Sequence, residues 1–114
     1  MKTNQFILRG KKGSGKSYLS EKMACLLPSE KVLKLNAGTN TYLKYISRRI
    51  NESNYDLIIF DECLSVEQIL EINQLVILKH MNDNEETLKS VVYLTQENDF
   101  KYLRGFEIIE CNYQ

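Results

Sequence analysis

A chain of 114 residues has room for one compact domain and little beyond it. Hydrophobic residues make up 43% and charged ones 26%, a balance that builds a core and excludes a disordered tail or a fibre. Fifteen basic residues against fifteen acidic ones give a formal net charge of zero, so overall charge attracts neither nucleic acid nor an anionic membrane, and any polyanion site must be local.

Phe6-Ile7-Leu8, a short apolar run closed by Gly10, predicts the first strand. Residues 10–17 then read Gly-Lys-Lys-Gly-Ser-Gly-Lys-Ser, which meets Gly-x-x-x-x-Gly-Lys-[Ser/Thr] at every fixed position. Glycines at 10, 13 and 15 let the backbone curl so that several N–H groups face one anion. A helix opening near Lys16 adds the positive end of its dipole at the same point. In such a cradle Lys16 reaches the β- and γ-phosphates and the Ser17 hydroxyl is the natural magnesium ligand. Lys11, Lys12, Ser14 and Tyr18 border the same nucleotide site. Lys11 and Lys12 stand at variable positions, where a solvated charge is the simpler role.

The helix is expected over 17–27, with Leu19, Met23, Leu26 and Leu27 on its apolar side and Pro28 as its stop. Residues 31–36 alternate, with Val32, Leu33 and Leu35 apolar, and predict a second strand. After a turn at 37–40, a second helix presents Tyr42, Leu43, Ile46 and Ile50 on one side. Leu57-Ile58-Ile59-Phe60 is β-branched and aromatic, as a fully buried central strand requires. Ser65 with Gln68 three residues later is a capping box, opening a helix to about Lys79 whose inner face is Val66, Ile69, Leu70, Asn73, Val76 and Ile77. Residues 80–87 form an acidic, polar loop. Residues 91–94 and 106–109 are the fourth and fifth strands, with a turn or two of helix between 99 and 104. Alternation of short strands with helices is the pattern of an α/β domain with a parallel sheet.

No apolar run approaches the roughly 20 residues that span a bilayer, and residues 1–5 are polar, without a signal-peptide core. Cys25, Cys63 and Cys111 are odd in number and form no CxxC pair, and His80 is the one histidine. A zinc site is not expected, and reduced thiols in a cytoplasm are the simplest reading.

Asp61 and Glu62 close the buried strand at its carboxyl end, the edge where open parallel sheets bind ligands. A carboxylate there holds magnesium beside Ser17, a role that suits Asp61. Glu62 then orients and polarises a water for attack on the γ-phosphate. The fourth strand ends Thr95-Gln96, and either residue is a candidate to contact that phosphate or water.

With these motifs the chain resembles the P-loop NTPases, in the branch with an added strand and a catalytic glutamate that includes AAA+ ATPases and superfamily 3 viral helicases. Residues 10–17 look like Walker A, residues 57–62 like Walker B, and Thr95 or Gln96 like the sensor-1 position. The resemblance implies a three-layer α/β/α fold over residues 1–114, with a five-stranded, mainly parallel sheet in the order 5-1-4-3-2. It implies ATP and Mg2+ as ligands. It also matches Arg104 to an arginine that reaches a neighbouring subunit's nucleotide, and so implies self-association. No helical lid follows the fifth strand, which removes support for translocation but not for nucleotide binding. Residues 36–42 fall where the AAA+ proteins that the chain resembles carry a pore loop.

Three functions fit these residues. The leading one is an ATPase with Glu62 as the water-activating group. A nucleoside or small-molecule kinase shares the loop but places the strands carrying the loop and Asp61 side by side, whereas the ATPase branch inserts the Thr95 strand between them. A binding module with little turnover is the third. Lys44, Arg48 and Arg49 share one helix and offer a small basic patch for nucleic acid, though three charges are usually a solvated face.

Overall fold

The computed structural model describes residues 5–35, 43–51, 55–82, 90–97 and 103–111, with the backbone alone at 43, 44, 51, 62, 63, 80 and 82. Along the chain these form β1 (Gln5–Arg9), α1 (Lys16–Ala24), a one-turn 3-10 helix (Ser29–Lys31), β2 (Val32–Leu35), α2 (Leu43–Asn51), β3 (Leu57–Cys63), α3 (Val66–Asn82), β4 (Ser90–Thr95) and β5 (Glu107–Glu110). All four strand pairings are parallel, and the order across the sheet is β2-β3-β4-β1-β5.

Successive side chains of a strand face opposite sides, so the buried residues divide into two cores. Ile7, Ile58, Phe60, Val91 and Tyr93 pack against Ile46 and Ile50 of α2 and Ile69, Ile72 and Val76 of α3. Leu8, Leu57, Ile59, Val92 and Leu94 face the other way, toward Leu19, Met23 and Ala24 of α1. The result is three layers, with α1 on one face of the sheet and α2 and α3 on the other. A sheet covered on both faces needs apolar residues at every position of its central strands, which explains the unbroken runs in β3 and β4.

The first core holds a stacked pair, Phe60 and Tyr93, with ring centroids 5.1 Å apart. The Tyr93 hydroxyl would be costly there without a partner. It donates to Asn73 Oδ1 at 2.9 Å, and Gln5 Nε2 donates to the same oxygen at 2.7 Å. Burial pushes the Tyr93 hydroxyl well above its ordinary pKa, so it stays a donor.

α3 starts as its sequence asks. The Ser65 N–H donates to Gln68 Oε1 at 2.9 Å and the Gln68 N–H donates to Ser65 Oγ at 3.1 Å, a reciprocal capping box. The helix continues to Asn82, so residues 80–82 extend it where a loop was expected. Its buried face is also turned: Ile72 is fully buried, while Leu70, expected inside, is 42% exposed. Ile69, Ile72, Asn73 and Val76 follow i, i+3, i+4, i+7 spacing and make one stripe, and Leu70 stands beside it.

α1 ends at Ala24 rather than at 27. The Leu26 and Leu27 N–H groups bond back only three residues, to Met23 and Ala24, a tightened end ahead of Pro28. Leu26, expected on the apolar side, is 83% exposed. β3 runs three residues past Phe60, taking Asp61 and Glu62 into the strand. Asn36, Tyr42, residues 83–87 and residues 99–102 lie outside the described residues. Among the described residues no helix is long and apolar enough to cross a membrane.

The turned face of α3 has a direct test in denaturant titrations. Ile72→Ala should cost about 2–5 kcal/mol of unfolding free energy, whereas Leu70→Ala should cost less than about 1 kcal/mol. A larger loss at Leu70 than at Ile72 would contradict the packing described.

Candidate functional site

β1 delivers the chain to the glycine loop and α1 carries it away. The Gly10 N–H donates to the Thr95 carbonyl at 3.2 Å, and the Cys111 N–H donates to the Arg9 carbonyl at 2.7 Å. The loop therefore leaves the sheet where β4, β1 and β5 end together. A Cβ on Gly10 would lie 2.6 Å from the Cys111 carbonyl oxygen and would also strike Ser14 Oγ, so no side chain fits. Gly13 and Gly15 have φ of 80° and 92°, the left-handed region that glycine enters without penalty.

Gly15 is the N-cap of α1, and no side chain caps the helix. The first helical bond runs from the Leu19 N–H to the Gly15 carbonyl at 2.9 Å. The N–H groups of residues 15–17 therefore lack helical acceptors, and together with the helix dipole they form a positive concavity suited to an anion.

Lys16 lies at that concavity and is only 5% exposed. Its Nζ donates to the Gly10 and Lys11 carbonyls at 2.6 and 2.7 Å and reaches Ser14 Oγ at 3.5 Å. Among the described residues no carboxylate pairs with it. A buried ammonium held by neutral oxygens alone is costly, and an anion entering the loop offsets that cost. Behind the loop, burial pushes the Cys111 thiol above its ordinary pKa, with the nearby Lys16 charge working against it. That thiol stays protonated and unreactive at neutral pH.

The acid edge meets the loop through an irregularity in β3. Phe60 pairs with Tyr93 and Cys63 with Leu94, so between those pairs β3 advances three residues and β4 only one. Asp61 and Glu62 stand in this bulge, outside the regular ladder. Ser17 Oγ donates to Asp61 Oδ1 at 3.2 Å, joining residues 44 apart in sequence. The other carboxylate oxygen, Oδ2, is 3.4 Å from Lys34 Nζ, which is also 3.4 Å from Glu21 Oε1. Partial burial works against the Lys34 charge, but Asp61 and then Glu21 outweigh it, and the ammonium is held above its ordinary pKa.

Lys12, Lys16, Ser17, Tyr18, Asp61 and Gln96 line one cleft of about 370 Å³. Tyr18 is 53% exposed, with Lys22 Nζ 5.3 Å from its ring centroid. Of the two candidates at the end of β4, Gln96 is on the cleft wall. Thr95 is fully buried, and its Oγ1 accepts the Glu97 N–H at 3.1 Å while its carbonyl holds Gly10. The side chain of Glu62 lies outside the described residues. Arg104 is exposed and precedes β5, whose parallel pairing of Phe6 with Glu107 and Arg9 with Glu110 puts it at the amino edge, opposite the cleft. Within one chain it does not meet the loop.

Of the basic patch, Arg48 is exposed, Arg49 is half-buried with its Nε unpartnered, and the Lys44 side chain lies outside the described residues. Sequence reasoning missed Lys34 and Glu21. The signal was present: alternation in β2 sets Lys34 opposite the buried Leu33 and Leu35, and Glu21 lies four residues after Ser17 on α1.

No protein-family model, curated protein or solved structure matches this chain. The functional reading therefore rests on its own residues and their geometry.

The two glycines separate crowding from backbone strain. Gly10→Ala should destabilise by about 1–3 kcal/mol through overpacking. Gly13→Ala, where nothing lies within 4 Å of a new Cβ, should show only the left-handed penalty of about 1–2 kcal/mol. Thermal and urea unfolding of both variants, read beside nucleotide binding, check this. A Gly10→Ala chain as stable as the parent would mean that the loop does not close on Cys111.

Proposed function

We propose that this chain is a magnesium-dependent ATPase of the AAA+ and superfamily 3 helicase-like kind. It binds ATP along residues 10–17 and hydrolyses the γ-phosphate to drive a step in a partner or on nucleic acid. The observation that carries the reading is the 3.2 Å contact of Ser17 Oγ with Asp61 Oδ1, which joins the glycine loop to the acid edge. Strand order supports it as well. β4 lies between β1 and β3, and read from β5 the order is 5-1-4-3-2, which the ATPase reading asks for and the kinase reading does not.

On this reading each residue has its own part. The N–H groups of residues 15–17 receive phosphate oxygens, and Lys16 supplies a positive charge beside the β- and γ-phosphates. Ser17 and Asp61 offer hard oxygens close together, which suits magnesium because it takes one or two protein oxygens and keeps several waters. When bound, the ion supplies neutralisation of charge on the β- and γ-phosphate oxygens. Glu62 accepts a proton from water as the water oxygen bonds to the γ-phosphorus and the bond to the β,γ-bridging oxygen breaks. Gln96, on the cleft wall, orients that water, and Thr95 supports the loop from behind. Arg104 acts on the nucleotide of a second copy, where it stabilises charge on the transferring group.

Phosphate release from ATP, followed across a protein concentration series, tests the whole reading. Lys16→Ala should weaken ATP binding by about 10- to 150-fold, the worth of one charged hydrogen bond. Glu62→Gln should bind ATP like the parent but turn it over about 10²- to 10⁴-fold more slowly. Equal turnover in Glu62→Gln would remove Glu62 from the mechanism. Specific activity that stays flat on dilution would count against Arg104 acting in trans.

A further inference from the structure

Four polar side chains meet on the α1 side of the sheet, beside the phosphate cradle. α1 contributes Ser17 and Glu21, four residues apart and hence on one side of the helix. β2 contributes Lys34 and β3 contributes Asp61. Both oxygens of Asp61 are engaged, Oδ1 by the Ser17 hydroxyl and Oδ2 by the Lys34 ammonium. That ammonium is equally far, 3.4 Å, from Glu21 and from Asp61.

We propose that Lys34 is a positioning residue that stands in for magnesium: it neutralises Asp61 in the metal-free chain and withdraws to Glu21 when the metal takes the carboxylate. The inference rests on the ATPase reading, which makes Asp61 a magnesium ligand, and it deepens that reading by naming what the metal must displace. Lys34 is 43%, Glu21 65% and Asp61 22% exposed, so solvent screens both ion pairs and they contribute little to folding stability. Their effect is instead on how the Asp61 charge is shared. A cation entering beside Ser17 must compete with the lysine for one carboxylate, and Glu21 offers the lysine a second acceptor to keep. Lys34 and Glu21 therefore pull the magnesium requirement in opposite directions.

The experiment measures binding of ATPγS to the full chain by calorimetry while magnesium is varied. Lys34→Met should lower the half-saturating magnesium concentration about two- to fivefold, the scale of an exposed ion pair. Binding without magnesium should change by less than about twofold, because Lys34 is not on the cleft wall. Lys34→Arg should restore the parent value. Glu21→Gln should raise the half-saturating concentration by a similar factor, and should lose that effect in the Lys34→Met background. Lys31→Met, in the 3-10 turn that precedes β2, makes the same change in net charge and should shift nothing. An unchanged midpoint in Lys34→Met, an equal shift in Lys31→Met, or a Glu21→Gln effect that persists without Lys34 would each overturn the placeholder role. A parent chain that binds no ATPγS at any magnesium concentration would instead overturn the ATPase reading, and the placeholder with it.

Discussion

The hydrogen bond from the Gly10 N–H to the Thr95 carbonyl is where the sheet becomes a site. It fastens the first residue of the glycine loop to the last residue of the neighbouring strand. It also requires β1 and β4 to end at the same level, which their register of Arg9 against Thr95 ensures. On the other side, Cys111 closes against Arg9 and leaves no room for a side chain at residue 10. With its start held between two strands, the loop turns through Gly13 and Gly15, and it releases the chain into a helix that no side chain caps. Parallel pairing matters here because it brings the carboxyl ends of β1, β3 and β4 to one edge.

The acid edge depends on a second constraint, the bulge in β3. A regular ladder beyond Phe60 would keep Asp61 in step with β4. Two residues instead leave the ladder, and the strand rejoins at Cys63, where the Leu64 N–H finds the Leu94 carbonyl at 2.8 Å. The backbone donors and acceptors around the bulge are thus partly recovered, while Asp61 is brought against Ser17.

Charge at the site is arranged in two settings. Lys16 is buried and held by the Gly10 and Lys11 carbonyls, neutral oxygens that leave its charge unbalanced. Asp61 is balanced by Lys34, which is balanced in turn by Glu21, in a chain of partly exposed pairs that solvent weakens. The buried charge is shielded from solvent, whereas the partly exposed chain is screened by it. The same contrast explains why the Gln5–Asn73–Tyr93 group, fully buried at the amino end of β1, reads as structure: its polar atoms are satisfied and no charge is left over.

Much of this was legible in the sequence, because local rules dictated it. The apolar runs of β1, β3 and β4 marked strands buried on both faces, and Ser65 with Gln68 marked the start of α3 within one residue. The glycine spacing at 10, 13 and 15 carried its reason in backbone geometry alone. Where two local answers were open, contacts distant in sequence decided. Leu70 and Ile72 are both apolar and one or the other could face inward; the sheet beneath α3 took Ile72. Thr95 and Gln96 are both polar, and the Gly10–Thr95 bond with the Glu97 turn buried the first and left the second on the cleft. The partnership of Lys34 with Asp61 and Glu21 needs three elements to meet, and no single stretch of chain encodes their meeting. The sequence by itself determined the strands, the helix starts and the loop's curvature, because these depend on neighbours a few residues away. Tertiary structure alone decided which polar groups share a carboxylate, because ion pairing depends on distances that only the assembled sheet brings below 4 Å.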